Sequence, residues 1–158
     1  MLLVEEYRKE CTIELQFLAE VVQAIESLLA ENTGDTAPLK DRAAAASFVF
    51  SFYNGIENLL KRTTKYCSVP LPKGEQWHSE LAMRFTDPAG SGFPAIPQLI
   101  TADIHTDLLK LRKLRHVIAH GYAMNLDWMQ MKPTIDAIPG VYGIFRQNLE
   151  QFLATQQP

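Results

Sequence analysis

The chain has 158 residues, 47% of them hydrophobic, and a formal net charge of −3 at pH 7. That length fits one domain, residues 1–158, with enough apolar material for a continuous core. The acidic balance argues against a generic nucleic-acid coat and leaves room for a local basic cleft. Cys11 and Cys67 lie far apart and match no metal spacing, so two reduced thiols are expected. Glu5, Glu6, Arg8 and Lys9 interrupt any apolar signal core, and no stretch approaches the roughly 20 apolar residues that span a membrane. A cytoplasmic protein without a membrane segment is the expectation.

Residues from about 2 to 30 carry helical periodicity, with Leu3, Tyr7, Leu15, Leu18, Val22, Ile25 and Leu29 at three- and four-residue steps. Asn32-Thr33-Gly34-Asp35 closes this helix, and Asp35 or Thr36 is the candidate cap for the next. The second helix is predicted over about 38–66. Its run of alanines from 43 to 46 permits close packing, and Phe48, Phe52, Ile56, Leu59 and Leu60 supply its core face. The stretch 68–97 holds Pro70, Pro72, Pro88, Pro94 and Pro97 together with Gly74, Gly90 and Gly92, and one short helix over about 75–85 interrupts it. Irregular inserts of this length are more often functional than structural, and this one reads as a flap or partner-contact loop.

Pro97 suits the first turn of a third long helix, about 98–119, with Ile100, Ile104, Leu108, Leu111, Leu114 and Ile118 as its buried stripe. Gly121 offers the left-handed position that ends helices, and Asp127 could cap a short turn beginning at Trp128. A last helix, about 141–154, carries Val141, Ile144, Phe145, Leu149, Phe152 and Leu153. No segment reads as a strand. The expected fold is all-α, an antiparallel bundle of four to five helices with a Pro/Gly-rich insert.

The end of the third long helix reads Arg115-His116-Val117-Ile118-Ala119-His120-Gly121-Tyr122. An Arg can hold a phosphate through two parallel hydrogen bonds, and a His can move a proton near neutral pH. On a regular helix, residues five apart differ by roughly 140° after a full turn. Arg115 and His120 therefore converge only if the helix unwinds at His120, which Gly121 permits. His116 and His120, four apart, share a face and would suit two zinc ligands. No Cys or acidic partner completes a metal pattern, and His-Glu-x-x-His is absent, so no metal is expected. Lys110, Arg112, Lys113 and Arg115 give an otherwise acidic chain a local positive field. The second helix contributes Asn54, Glu57 and Asn58, followed by Lys61 and Arg62. Taken singly, each feature has an ordinary explanation: an Arg complementing a helix dipole, or a basic run forming a solvated face. Their spacing together is less ordinary, since the pattern Arg-x4-His-x-Tyr has roughly 0.006 matches expected by chance in this composition.

That pattern, Arg115 to His120 to Tyr122, resembles the signature of the HEPN superfamily in its HepT-type branch. Members of that branch are ribonuclease toxins paired with a minimal nucleotidyltransferase (MNT) antitoxin. Leu126-Asp127-Trp128 followed by Lys132-Pro133 resembles a subgroup of HepT-like proteins, as does Pro72-Lys73-Gly74 followed by Trp77-His78. His116 stands where many members carry Asn. The resemblance implies a dimeric HEPN-type bundle acting as a metal-independent endoribonuclease on tRNA or mRNA, with no cofactor. In it, His120 serves as general base or acid and Arg115 stabilises the phosphorane-like charge, with His116 and one of Asn54, Glu57 and Asn58 in support. Lys61, Arg62, Lys110, Arg112 and Lys113 would bind RNA. A homodimer cleft lined by two motifs would supply the second proton-transfer group, and Tyr122 would accept AMP from the antitoxin. The alternative is a non-catalytic, phosphate- or nucleotide-binding partner subunit of a nucleotidyltransferase.

Overall fold

A computed structural model describes residues 3–121 and 126–158. Among these residues there are six helices and no strand: α1 (Val4–Glu31), α2 (Leu39–Tyr66), α3 (Trp77–Thr86), α4 (Ala102–Ala119), α5 (Trp128–Asp136) and α6 (Ile138–Thr155). None of them is long and apolar enough to cross a membrane. The four long helices run antiparallel to their neighbours. Tyr7 and Glu10 near the start of α1 meet Thr63 and Arg62 near the end of α2, and Asn32 just past α1 meets Asp41 at the start of α2. Likewise Arg8 donates to the Leu153 carbonyl of α6 at 3.0 Å, and the Tyr142 hydroxyl donates to the Leu15 carbonyl at 3.0 Å. The expected antiparallel helical bundle is thus the architecture.

The helix faces follow the apolar spacing, because each stripe loses water only by packing on another. Tyr7, Cys11, Leu18 and Ile25 of α1 are buried against Val49, Phe52, Ile56 and Leu59 of α2. Leu3, counted in the α1 stripe from sequence, precedes the helix and is exposed. At Gly55 the α1–α2 seam leaves no room for a side chain: a Cβ there would sit 2.4 Å from Leu18 Cδ2 and 3.0 Å from its Cγ. Leu18 is itself fully buried, so it has little room to yield. Gly55→Val is expected to lower the unfolding free energy by about 1–3 kcal/mol through overpacking, as read by urea denaturation.

Buried polar groups on this seam are paired. The Thr63 hydroxyl donates to the Leu59 carbonyl, which leaves it accepting from Tyr7 Oη at 2.7 Å. Burial pushes the Cys11 thiol from its ordinary 9.0 up to about 11, and burial raises the Tyr7 and Tyr53 phenols as well. All three shifts have the same consequence. The unfolded chain releases these protons at lower pH than the fold does, so stability is intact below about pH 9 and falls as pH rises toward 11. Melting temperature measured from pH 8 to 11 should therefore decline, and a flat profile would contradict the buried, neutral assignment.

Three expectations drawn from local signals need correction. Neither Asp35 nor Thr36 caps α2; Pro38 occupies the cap position with no side-chain hydrogen bond, and it suits a helix start because its φ is already −56°. α4 begins at Ala102 rather than near residue 98. Ile96, Leu99 and Ile100 are instead buried in an irregular turn, held by Ile100 N donating to the Phe85 carbonyl and Asn148 Nδ2 donating to the Leu99 carbonyl. The insert is also no flap. Leu81 and Phe85 are fully buried, and Arg84, only 5% exposed, donates to the Pro70 carbonyl at 2.7 Å while its guanidinium lies 4.0 Å from the Phe93 ring centroid. One buried cation therefore ties both arms of the insert to α3.

Two other expectations hold. Gly121 takes φ +81° past the end of α4, and Asp127 caps α5 by accepting from Met129 N at 3.4 Å. The segment after Asp127 is a nine-residue helix rather than a short turn.

Candidate functional site

α4 delivers the basic motif to a cleft walled by α2 and the start of α3. Arg115 is half-buried. Its Nε donates to Asn54 Oδ1 of α2 at 3.1 Å, and its guanidinium carbon lies 4.9 Å from the Phe50 ring centroid. Among the described residues, Nη1 and Nη2 take no hydrogen bond. A guanidinium fixed through Nε and supported by a ring face keeps its outer donor pair for an oxyanion, the arrangement that suits bidentate phosphate binding.

Arg115 separates two adjoining clefts of about 340 and 460 Å³. Asn54, Glu57, Asn58, Lys61, Trp77 and His78 line the smaller one with it. The larger is lined by Arg112, Lys113, Arg115 and His116 of α4 and by Glu75, Gln76, His78 and Ser79 around the start of α3. Of the three polar candidates on α2, Asn54 is the one that holds Arg115. Glu57 turns to His78, and Asn58 is exposed at the rim.

His120 is the C-terminal cap residue of α4. Its Nδ1 lies 2.7 Å from the His116 carbonyl, which can only accept, so Nδ1 carries the proton and Nε2 is left free. The two imidazole rings sit 4.1 Å apart. His120 itself lines neither cleft; His116 lies between it and Arg115, bordering the larger cleft and contacting the His120 ring. The helix tightens here, with His120 N shared between the His116 and Val117 carbonyls, before Gly121 ends it. Among the described residues, no group of three or more His, Cys, Asp or Glu side chains could hold a metal ion. Tyr122 lies outside the described residues.

The proposed RNA contacts divide. Lys61 reaches across the cleft edge to 4.4 Å from the Trp77 ring centroid, and Arg112 and Lys113 border the larger cleft. Lys110 is exposed and lines neither cleft. Arg62 points the other way, bound to Glu10 at 2.6 Å and within 3.8 Å of Glu14 on α1. Its cation is engaged in the α1–α2 seam.

Sequence reasoning did not place His78 in the site. His78 Nδ1 is hydrogen-bonded to the Glu57 carboxylate, and its ring stacks on Trp77 with centroids 3.5 Å apart. A signal was present: Glu57 falls within the apolar face Phe52, Ile56, Leu59 and Leu60, and a carboxylate only 4% exposed requires a partner. Burial and the Glu57 charge together hold the neighbouring Tyr53 phenol well above its ordinary range.

The antiparallel helical bundle is consistent with a HEPN-type fold. The family described as HepT-like protein matches residues 44–156, nearly all of α2 through the end of α6, and the chain belongs to that family. The family is one generally associated with ribonucleases. Neither a curated protein nor a solved structure matches the chain.

Proposed function

We propose that the chain is a metal-independent endoribonuclease toxin that cleaves single-stranded RNA, tRNA or mRNA, through Arg115 and His120. The observation that carries this reading is Arg115, held by Asn54 and Phe50 with both Nη donors open to a cleft bordered by Arg112, Lys113 and Lys61. RNA brings its own nucleophile, the 2′-hydroxyl, so the protein need only move protons and stabilise charge. Arg115 holds the non-bridging oxygens as charge builds on phosphorus. His120, its tautomer set by the His116 carbonyl, offers Nε2 for proton transfer. His116 flanks both groups. The products are a 2′,3′-cyclic phosphate and a 5′-hydroxyl. A homodimer sets two such basic faces along one RNA, and a cytoplasmic location follows from the substrate.

Tyr122, one residue past Gly121, is the acceptor for AMP from a minimal nucleotidyltransferase antitoxin. Each added nucleotide brings negative phosphate and bulk that compete with RNA for Arg115. The test is RNA cleavage in excess EDTA by protein with unmodified Tyr122 and by the same protein after adenylylation. Cleavage by the first and not the second supports the whole reading. Equal cleavage by both removes Tyr122 from regulation. RNA binding without cleavage would favour a phosphate-binding partner subunit of a nucleotidyltransferase, the second reading that the open Nη pair also fits.

A further inference from the structure

An exchange of a 2′-hydroxyl proton for a protonated leaving oxygen requires two groups, one to accept and one to donate. The open cleft beside Arg115 contains a second histidine, His78, whose place in the Trp77-His78 motif carried no role. His78 sits at the start of α3 with its side chain 30% exposed, and it borders both clefts that Arg115 separates. Its Nδ1 is bound to Glu57, a carboxylate contributed by α2 from within the core face. A carboxylate accepts only, so Nδ1 carries the proton and Nε2 is the free basic atom. When Nε2 takes up a proton, the resulting imidazolium lies against a buried anion. This is the orienting-acid, imidazole logic of a catalytic triad without its serine. The Trp77 ring stacks on the imidazole.

We infer that His78 is the general base of the RNA cleavage step, oriented by Glu57, with the acid role left to His120 as in the reading above. This rests on the ribonuclease reading above. The 2′-hydroxyl proton passes to His78 Nε2 as the O2′–P bond forms. The P–O5′ bond breaks, and the departing O5′ takes a proton from Nε2 of protonated His120. No oxidant or metal enters, and proton exchange with water resets both rings. Glu57 is a positioning residue here and touches no substrate.

The test uses two RNA dinucleotide-containing oligomers, one natural and one with sulfur in place of the bridging 5′ oxygen. A thiolate leaves without protonation, so the sulfur substrate bypasses a missing acid and not a missing base. On natural RNA, His78→Gln and His120→Ala should each lower kcat about 100-fold or more, and Glu57→Gln should lower kcat with KM unchanged. On the sulfur substrate His120→Ala should recover toward wild type, whereas His78→Gln should stay slow. Wild-type kcat in His78→Gln, or its recovery on the sulfur substrate, would each overturn the assignment and leave the nuclease reading standing. Absence of cleavage by the wild type would overturn both. Thermal melts of each variant separate loss of chemistry from loss of fold.

Discussion

Arg115→Ala is expected to lower RNA cleavage roughly 100- to 1000-fold, with the loss mainly in kcat. The reasoning is electrostatic. The Nη pair meets a phosphate in both the ground state and the transition state, but negative charge on the non-bridging oxygens grows only as the new P–O bond forms. A donor already held in place gains from that growth without reorganising, and Asn54 and Phe50 provide the holding. Arg115→Lys should recover little, because an ammonium is a point charge with no fork and cannot keep the Nε contact to Asn54. Asn54→Ala should fall between wild type and Arg115→Ala, since it frees the guanidinium without removing it. Initial rates on a fluorogenic RNA check all three. A Lys variant as active as wild type would mean that charge alone suffices and that the anchored geometry is incidental.

The second large effect falls on stability. Trp128→Ala should cost about 3–5 kcal/mol in unfolding free energy, a large part of the roughly 5–15 kcal/mol that holds a domain together. Trp128 is 1% exposed and packs with Met131 and Ile135 of α5 in the common core. Leu126 and Asp127 serve the same junction: the Leu126 carbonyl accepts from Arg42 Nη1 at 3.3 Å, and Asp127 caps the helix. The Leu126-Asp127-Trp128 signature therefore acts in folding, by fastening the chain after the Arg–His motif to α2 and α6. Chemical denaturation of the variant checks it. Near-wild-type stability would instead point to a role for Trp128 at the site.

The long helices were legible in the sequence because their stripes are local: one apolar residue every third or fourth position commits a face before any partner is known. Gly121 and Asp127 were legible for the same reason, since a φ of +81° and a cap depend on neighbours a few residues away. What failed depended on distant contacts. Pro97 satisfied the rule for a helix start, but Ile96, Leu99 and Ile100 gain more by filling the space between α3 and α6, so α4 starts later. α5 escaped notice as a helix because Pro133 lies inside it. Arg115 and His120 drew notice by their spacing, but the fold sets Arg115 at both clefts and leaves His120 outside them, against His116. Asn54, Glu57 and Asn58 could not be ranked, because five residues of α2 sweep past both cleft and core, and only the packed partner decides. His78 sits 37 positions before Arg115 in the chain. Only the folded insert brings it to the same cleft.

The most direct test of the central claim is end analysis of RNA cleaved in excess EDTA by wild type and by His120→Ala. The account predicts 2′,3′-cyclic phosphate and 5′-hydroxyl ends from the wild type and no cleavage above background from the variant. Cleavage that requires a divalent metal, that leaves 3′-hydroxyl and 5′-phosphate ends, or that persists in His120→Ala would contradict it.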